Sequence, residues 1–267
     1  MPLENSEPLI RRLDKGVLYL TKDNAGESYG ISLAMWRALT AQFKRAHEDN
    51  AVTAVVIDAG GPGFHRGAVM VNELKPSLNE LESEDFQVLV HRGQALGRLI
   101  ANLPKPVIGI ARSGALGGGL ELLLRCDFLY TTDAARFSFP EVTLGFVAAW
   151  GGTQWGGRML AFRRAQEMLL LGEAISGARA AEIDLVTRSF KSDHDLDEHV
   201  KSVVERLDQC SGAAFAGTKR CLQALWSGPL AHGEQVEVEA ETTAMAAGDF
   251  IERLSNWRRE NSPKQTD

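Results

Sequence analysis

The chain has 267 residues, with 29 Lys or Arg against 35 Asp or Glu and a formal charge of −6. That length fits one large domain or two of about 150 residues, and the negative balance excludes broad, sequence-blind binding to nucleic acid. Cys126, Cys210 and Cys221 have no Cys-x-x-Cys spacing, which excludes a zinc knuckle and a disulfide framework.

Val17 to Leu20 reads as a strand rich in β-formers. Met35, Leu39 and Phe43 recur every fourth residue and predict a helix. Val52 to Ile57 predicts a buried strand, stopped by glycines at 60, 61 and 63. Phe86, Leu89, Val90, Leu96 and Leu99 form a second helical stripe. Val107 to Ala111 predicts a strand, Leu120 to Leu124 a helix and Phe128 to Tyr130 a strand. This alternation favours an α/β core. From Met159 onward helices dominate: Met159 to Leu171, Asp195 to Leu207, Ala213 to Leu225 and Glu234 to Leu254, with a strand returning at Val186 to Phe190. The expected division is an α/β core over 1–192 and a helical region over 193–267. Long amphipathic C-terminal helices of this kind also pack against partner subunits. The first residues lack the apolar stretch of a secretory signal, and no apolar run reaches the roughly 18 residues of a membrane span. A cytoplasmic protein that does not enter a membrane is expected.

The strongest local signal is Gly114 followed by Gly117, Gly118 and Gly119, opening an apolar helix after a strand. Glycines let the backbone approach another group closely. Amides at a helix start lack intrahelical partners and can hold a phosphate, a carboxylate or a developing oxyanion. Tight packing without a ligand explains the glycines equally well. The Lys-Ser/Thr of a phosphate-binding loop is missing. Glu121 lies between Leu120 and Leu122, and Glu141 follows Pro140, which fixes the local backbone. The pair offers a general acid and a general base if the fold joins them. His65 and Arg66 sit in a glycine turn after a strand, a second candidate anion nest. Trp150 and Trp155 flank Gly151-Gly152, as pocket lining or as core. The Tyr29 hydroxyl needs a partner if buried. No histidine spacing suggests a metal site.

Phe64 to Leu74, Ile110 to Tyr130, Arg136 to Gln154 and Leu169 to Val186 together resemble the crotonase, or enoyl-CoA hydratase/isomerase, family over roughly residues 8 to 262. The resemblance implies a crotonase-like spiral of ββα units with a C-terminal helical trimerisation region, and a homotrimer or dimer of trimers. It implies an oxyanion hole from the amides of Ala68 and Gly118. Glu121 and Glu141 match the two glutamates with which family hydratases add water across a 2-enoyl thioester. It implies coenzyme A as part of the substrate, with no tightly bound cofactor, and CoA contacts from Trp257, Arg258 and Arg259. His65, Arg66, Trp150 and Tyr29 are then substrate-binding candidates.

Several positions depart from the family pattern. Val69 replaces an aspartate after the first oxyanion amide, and bulky Arg66 replaces a small residue. Ala148 replaces a proline, and Trp155 stands where an arginine often follows Thr-Gln. An atypical substrate is therefore compatible with the sequence. The alternatives to hydration are a crotonase-fold isomerase, a decarboxylase, a β-diketone C–C hydrolase, or a non-catalytic thioester-binding protein.

Overall fold

The computed structural model describes residues 9–22, 31–58, 60 and 83–261. Its first element is a hairpin that the sequence reading missed. Strands β1 (Leu9–Asp14) and β2 (Val17–Lys22) pair antiparallel across Lys15 and Gly16, whose φ angles are 47° and 82°. Positive φ at both turn residues matches the right-handed twist of a two-residue hairpin. All of β1 after Leu9 is exposed and carries two arginines, a composition that hides its strand character and protects a sheet edge.

Helix α1 (Leu33–Glu48) starts at Ser32, whose hydroxyl accepts from the Met35 amide at 3.0 Å. Its buried face is Met35, Leu39, Phe43 and Ala46, the expected stripe plus one turn. Lys105 closes the other end by donating to the carbonyls of Ala46 and Asp49. Strand β3 (Ala54–Asp58) and helix α2 (Ser83–Ala101) follow. Strand β4 (Val107–Ala111) is buried along its whole length, as a central parallel strand should be. Beyond it come β5 (Gly114–Leu116), α3 (Gly118–Leu123), β6 (Phe128–Thr132) and β7 (Arg136–Ser138). Helix α4 (Phe162–Leu171), β8 (Ile175–Ser176), α5 (Gly177–Glu182) and β9 (Arg188–Phe190) complete the α/β part.

Two sheets share these strands. The larger runs β1-β2-β3-β4-β6-β9, parallel from β2 onward, and the smaller runs β5-β7-β8. The chain passes from β4 in one sheet to β5 in the other, returns to β6, and crosses again to β7. That alternation is the spiral expected from the family resemblance. The short β5, β7 and β8 were not read from sequence, because three residues are too few to show a period.

Helix α6 (Asp193–Asp208) is tied to the end of β4 through Arg112, which pairs with Asp58 at 3.0 Å and Asp197 at 2.6 Å. The chain divides into two compact units, one ending at Val204 and the other starting at Glu205. In the second, α7 (Gly212–Ala224) packs closely on α8 (Leu230–Ala246) where Gly217 meets Ala240. The helix expected over Glu234 to Leu254 is broken. It ends near Ala246, and α9 (Phe250–Asn261) begins after Gly248, whose φ of 83° a helix cannot continue through.

Candidate active site

The small sheet brings the two glutamates together. Strands β5 and β7 run parallel with Leu116 beside Ser138. The chain leaves both in the same direction, and Glu121 follows five residues after one while Glu141 follows three after the other. The close approach depends on glycine. A Cβ at Gly114, where φ is 104°, would lie 1.9 Å from the Arg136 carbonyl oxygen. Gly117, at φ 53°, donates to the Ser138 carbonyl at 3.0 Å and caps α3. The glycine run is thus a strand-to-helix turn fastened to β7. The Gly118 amide stands in the first turn of α3, where the helix itself offers no acceptor. After β7, Pro140 opens a 3-10 turn over Pro140–Leu144 that carries Glu141.

Glu121 is 2% exposed. Its Oε1 accepts from the Gly152 amide at 2.7 Å. Burial is the main cause that pushes its carboxyl up to about 8; the Gly152 hydrogen bond opposes this, and the negative charge of Glu141 adds to it. Glu141 thus lies within electrostatic reach of Glu121. Glu141 is also pushed above the usual carboxylate range, again chiefly by burial. Its Oε2 is buried and has no hydrogen-bond partner among the described residues. A buried carboxylate oxygen left unpaired is costly, and such atoms call for a ligand, a proton or a water.

The loop that supplies Gly152 is held from two sides. Gln94 on α2 donates to the Ala149 carbonyl at 2.9 Å, and Arg125 Nη2 donates to the Trp150 carbonyl at 3.0 Å. Gly151 has a φ of 129°, which few side chains tolerate, and a π-helical turn follows over Gly152–Gly156. Such turns recur at functional sites. Trp150 is only 5% exposed. Its ring occupies the space that Cβ atoms at Gly93 and Gly118 would take, 2.0 Å and 3.0 Å from ring carbons. It packs as a core residue behind the Gly118 turn, one of the two roles the sequence left open for it. Trp155 is half-buried beneath the Arg125 guanidinium, 4.3 Å from the ring centroid.

Sequence reasoning missed two members of this cluster. Gly152 was read only as part of a turn between tryptophans. Arg125 was passed over, although a single cation ending the apolar run Leu122-Leu123-Leu124 was a visible signal. Tyr29, His65, Arg66 and Ala68 lie outside the described residues, as do the side chains of Trp257 and Arg258. Arg259 is exposed on α9 and hydrogen-bonds the Asn256 side chain. Among the described residues no group of His, Cys, Asp and Glu is arranged to hold a metal ion, and no helix is long and apolar enough to cross a membrane.

A largely parallel spiral with two buried glutamates within electrostatic reach, one on a glycine-capped helix start, defines a class. The family model for enoyl-CoA hydratase/isomerase matches residues 12–258, and the chain belongs to that family. Among its relatives, the 2,3-dehydroadipyl-CoA hydratase of Escherichia coli (strain K12) is 30% identical over 260 residues, covering 97% of this chain and 98% of that one. The crystal structure of the enoyl-CoA hydratase of Mycobacterium smegmatis superposes with a TM-score of 0.86 at 26% identity, over 97% of this chain and 99% of the other. That of the enoyl-CoA hydratase from Bacillus anthracis gives 0.85 at 25% identity, over 96% and 98%.

Proposed function

We propose that this enzyme adds water across the 2,3 double bond of an acyl-CoA thioester, with Glu121 and Glu141 as its acid/base pair. The observation that carries the reading is the pair itself: two buried carboxyls within electrostatic reach, one anchored by Gly152 and one with an unpaired oxygen. Only one proton is comfortable on such a pair at neutral pH, which gives one acid and one base.

In the hydration direction the proton of the pair, held on Glu121 in the free enzyme, first moves to Glu141, and the ionised Glu121 then takes a proton from water as the water oxygen bonds to the β-carbon. The π electrons move toward the thioester carbonyl, whose oxygen becomes an enolate oxyanion. The amides of Gly118 and Ala68 donate to that oxygen. Losing one such donor costs about 3–4 kcal/mol in other enzymes, so this device can supply much of the rate. Protonated Glu141 then delivers its proton to the α-carbon as the carbonyl re-forms. Water has been split between the two carbons; the pair ends with its proton on Glu121 and Glu141 ionised, which is the resting arrangement, so the cycle closes. The reverse path dehydrates a 3-hydroxyacyl thioester.

No separate cofactor is required, because coenzyme A arrives with the substrate. Trp257, Arg258 and Arg259 are its candidate contacts from a neighbouring subunit, and Tyr29, His65 and Arg66 are candidate substrate-binding residues. The second unit exposes Leu222, Leu225, Trp226 and Leu230, an apolar surface suited to further copies of the chain in a trimer or dimer of trimers. A cytoplasmic location belongs to the same reading.

The test is turnover of a panel of 2-enoyl-CoA thioesters: crotonyl, long-chain, branched, cinnamoyl-type and the dicarboxylic dehydroadipyl ester. Loss of conjugated absorbance with uptake of one water on any member supports the proposal. Silence across the whole panel overturns it.

A further inference from the structure

Arg125 is the one strongly buried guanidinium in this cluster, at 8% exposure, and the acid/base mechanism does not use it. It sits just past the end of α3, four residues after Glu121. Its Nη2 donates to the Trp150 carbonyl at 3.0 Å, and its plane stacks on Trp155 at 4.3 Å. Its Nε is buried with no hydrogen-bond partner among the described residues. The backbone is cut away to admit it. A Cβ at Gly151 would lie 1.9 Å from Nη2, and one at Gly97 on α2 would lie 3.2 Å from Nε.

A buried cation with one carbonyl and one aromatic face is under-compensated unless a negative charge lies close. Glu121 is that charge, and its attraction favours the charged guanidinium. Arg98 on α2 acts in the opposite direction, and Glu141 is the other charge that faces Glu121. The turn that Arg125 grips at residue 150 is also the turn whose residue 152 donates to Glu121. One side chain therefore acts on the glutamate through the backbone turn, and its charge lies within electrostatic reach.

We propose that Arg125 is a positioning residue for Glu121: it holds the Trp150–Gly152 turn so that the Gly152 amide meets the carboxylate, with its own positive charge close behind. Trp155 covers the guanidinium and keeps water from screening its charge. The catalytic part of this inference rests on the hydratase reading; the electrostatic part does not.

The test uses full-length protein with ¹³C-labelled glutamate carboxyls, the Glu121 signal being assigned by its loss in Glu121→Gln. In Arg125→Met the Glu121 titration is expected to rise by about one pH unit or more. Both limbs of the kcat–pH profile should move the same way, and kcat should fall by about 10²-fold with KM nearly constant. Arg125→Lys, which keeps the charge without the planar fork, should return the titration close to wild type and recover only part of kcat. Trp155→Leu, which leaves the arginine in place but opens it to solvent, should raise the titration by a smaller amount. An unmoved Glu121 titration in Arg125→Met overturns the proposal. If that variant does not fold, an unmoved titration in Trp155→Leu overturns it. A wild-type chain silent on every thioester overturns the hydratase reading instead, and the carboxyl titration still decides the role of Arg125.

Discussion

Replacing Glu121 by glutamine should make the fold more stable at alkaline pH and remove much of its pH dependence. The carboxyl is 2% exposed and pushed up to about 8 from an ordinary 4.5, burial being the leading cause. In the unfolded chain it loses its proton near 4.5. Between those two values the folded protein keeps a proton that the unfolded chain has released, so stability falls as pH rises. The contribution is fully present below about 4.5 and lost once pH passes about 8. At about 1.4 kcal/mol per pH unit the interval corresponds to about 5 kcal/mol. A whole domain has only about 5–15 kcal/mol to lose. Glutamine cannot ionise, yet its carbonyl oxygen can still accept from the Gly152 amide, so the local hydrogen bond survives. Urea melts of both proteins at about pH 5, 6.5 and 8.5 span the interval. Taking the difference between the two cancels most other titrations, since Glu141 and the histidines are common to both. The variant should gain several kcal/mol on the wild type between the lowest and highest pH. Parallel curves would refute the reasoning: Glu121 would then ionise near 4.5 and the cleft around it would be open to water.

Glu141→Gln should lower kcat by about 10²–10⁴ while leaving KM nearly unchanged, because it removes the proton donor and keeps the shape; steady-state kinetics on the best enoyl thioester decides, and undiminished turnover would remove Glu141 from the mechanism. Trp150→Ala should cost about 3–5 kcal/mol in denaturant melts, since its ring fills the space left by Gly93 and Gly118. A wild-type midpoint would mean that the ring contributes nothing to the core. Gly151→Ala and Gly145→Ala form a matched pair, both at positive φ, but only the first would drive a Cβ into Arg125. Thermal melts should show a clearly larger loss at 151, and equal losses would mean that backbone strain alone sets the cost.

The legible parts of this chain were those with long periods. The stripe on α1 and the apolar run of β4 were readable because several residues repeat one spacing, and both match the structure. The family motifs were legible for a different reason: Gly114 is required by a backbone approach that no side chain allows, and Gly117 by its φ of 53°. The meeting of Glu121 with Glu141 was not legible from spacing. It depends on the parallel register of β5 against β7, two strands too short to show a pattern. The break in the C-terminal helix was missed because an alanine-rich run reads through Gly248, and only its φ shows that the helix has ended.

Trp150, Arg125 and Trp155 form one packed unit. Trp150 adds a large ring beside the first turn of α3, and Arg125 adds a guanidinium just past its end. Both intrude on the same face of α2, one helical turn apart, and at both places α2 presents glycine: Gly93 under the ring and Gly97 under the arginine. The arginine that often follows Thr-Gln in the family is Trp155 here, and a cation re-enters the same neighbourhood from position 125, stacked on that tryptophan. Arg125 and Trp155 are matched to one another in this packing, so changing one alone leaves the other without its partner. Trp155→Arg alone would set two guanidinium groups against each other, whereas the same change in an Arg125→Ala background removes the repulsion. Denaturant melts of the wild type, Trp155→Arg, Arg125→Ala and the double variant, taken as a double-mutant cycle, are expected to show strong coupling between positions 125 and 155. Additive effects would mean that the two substitutions were accommodated independently.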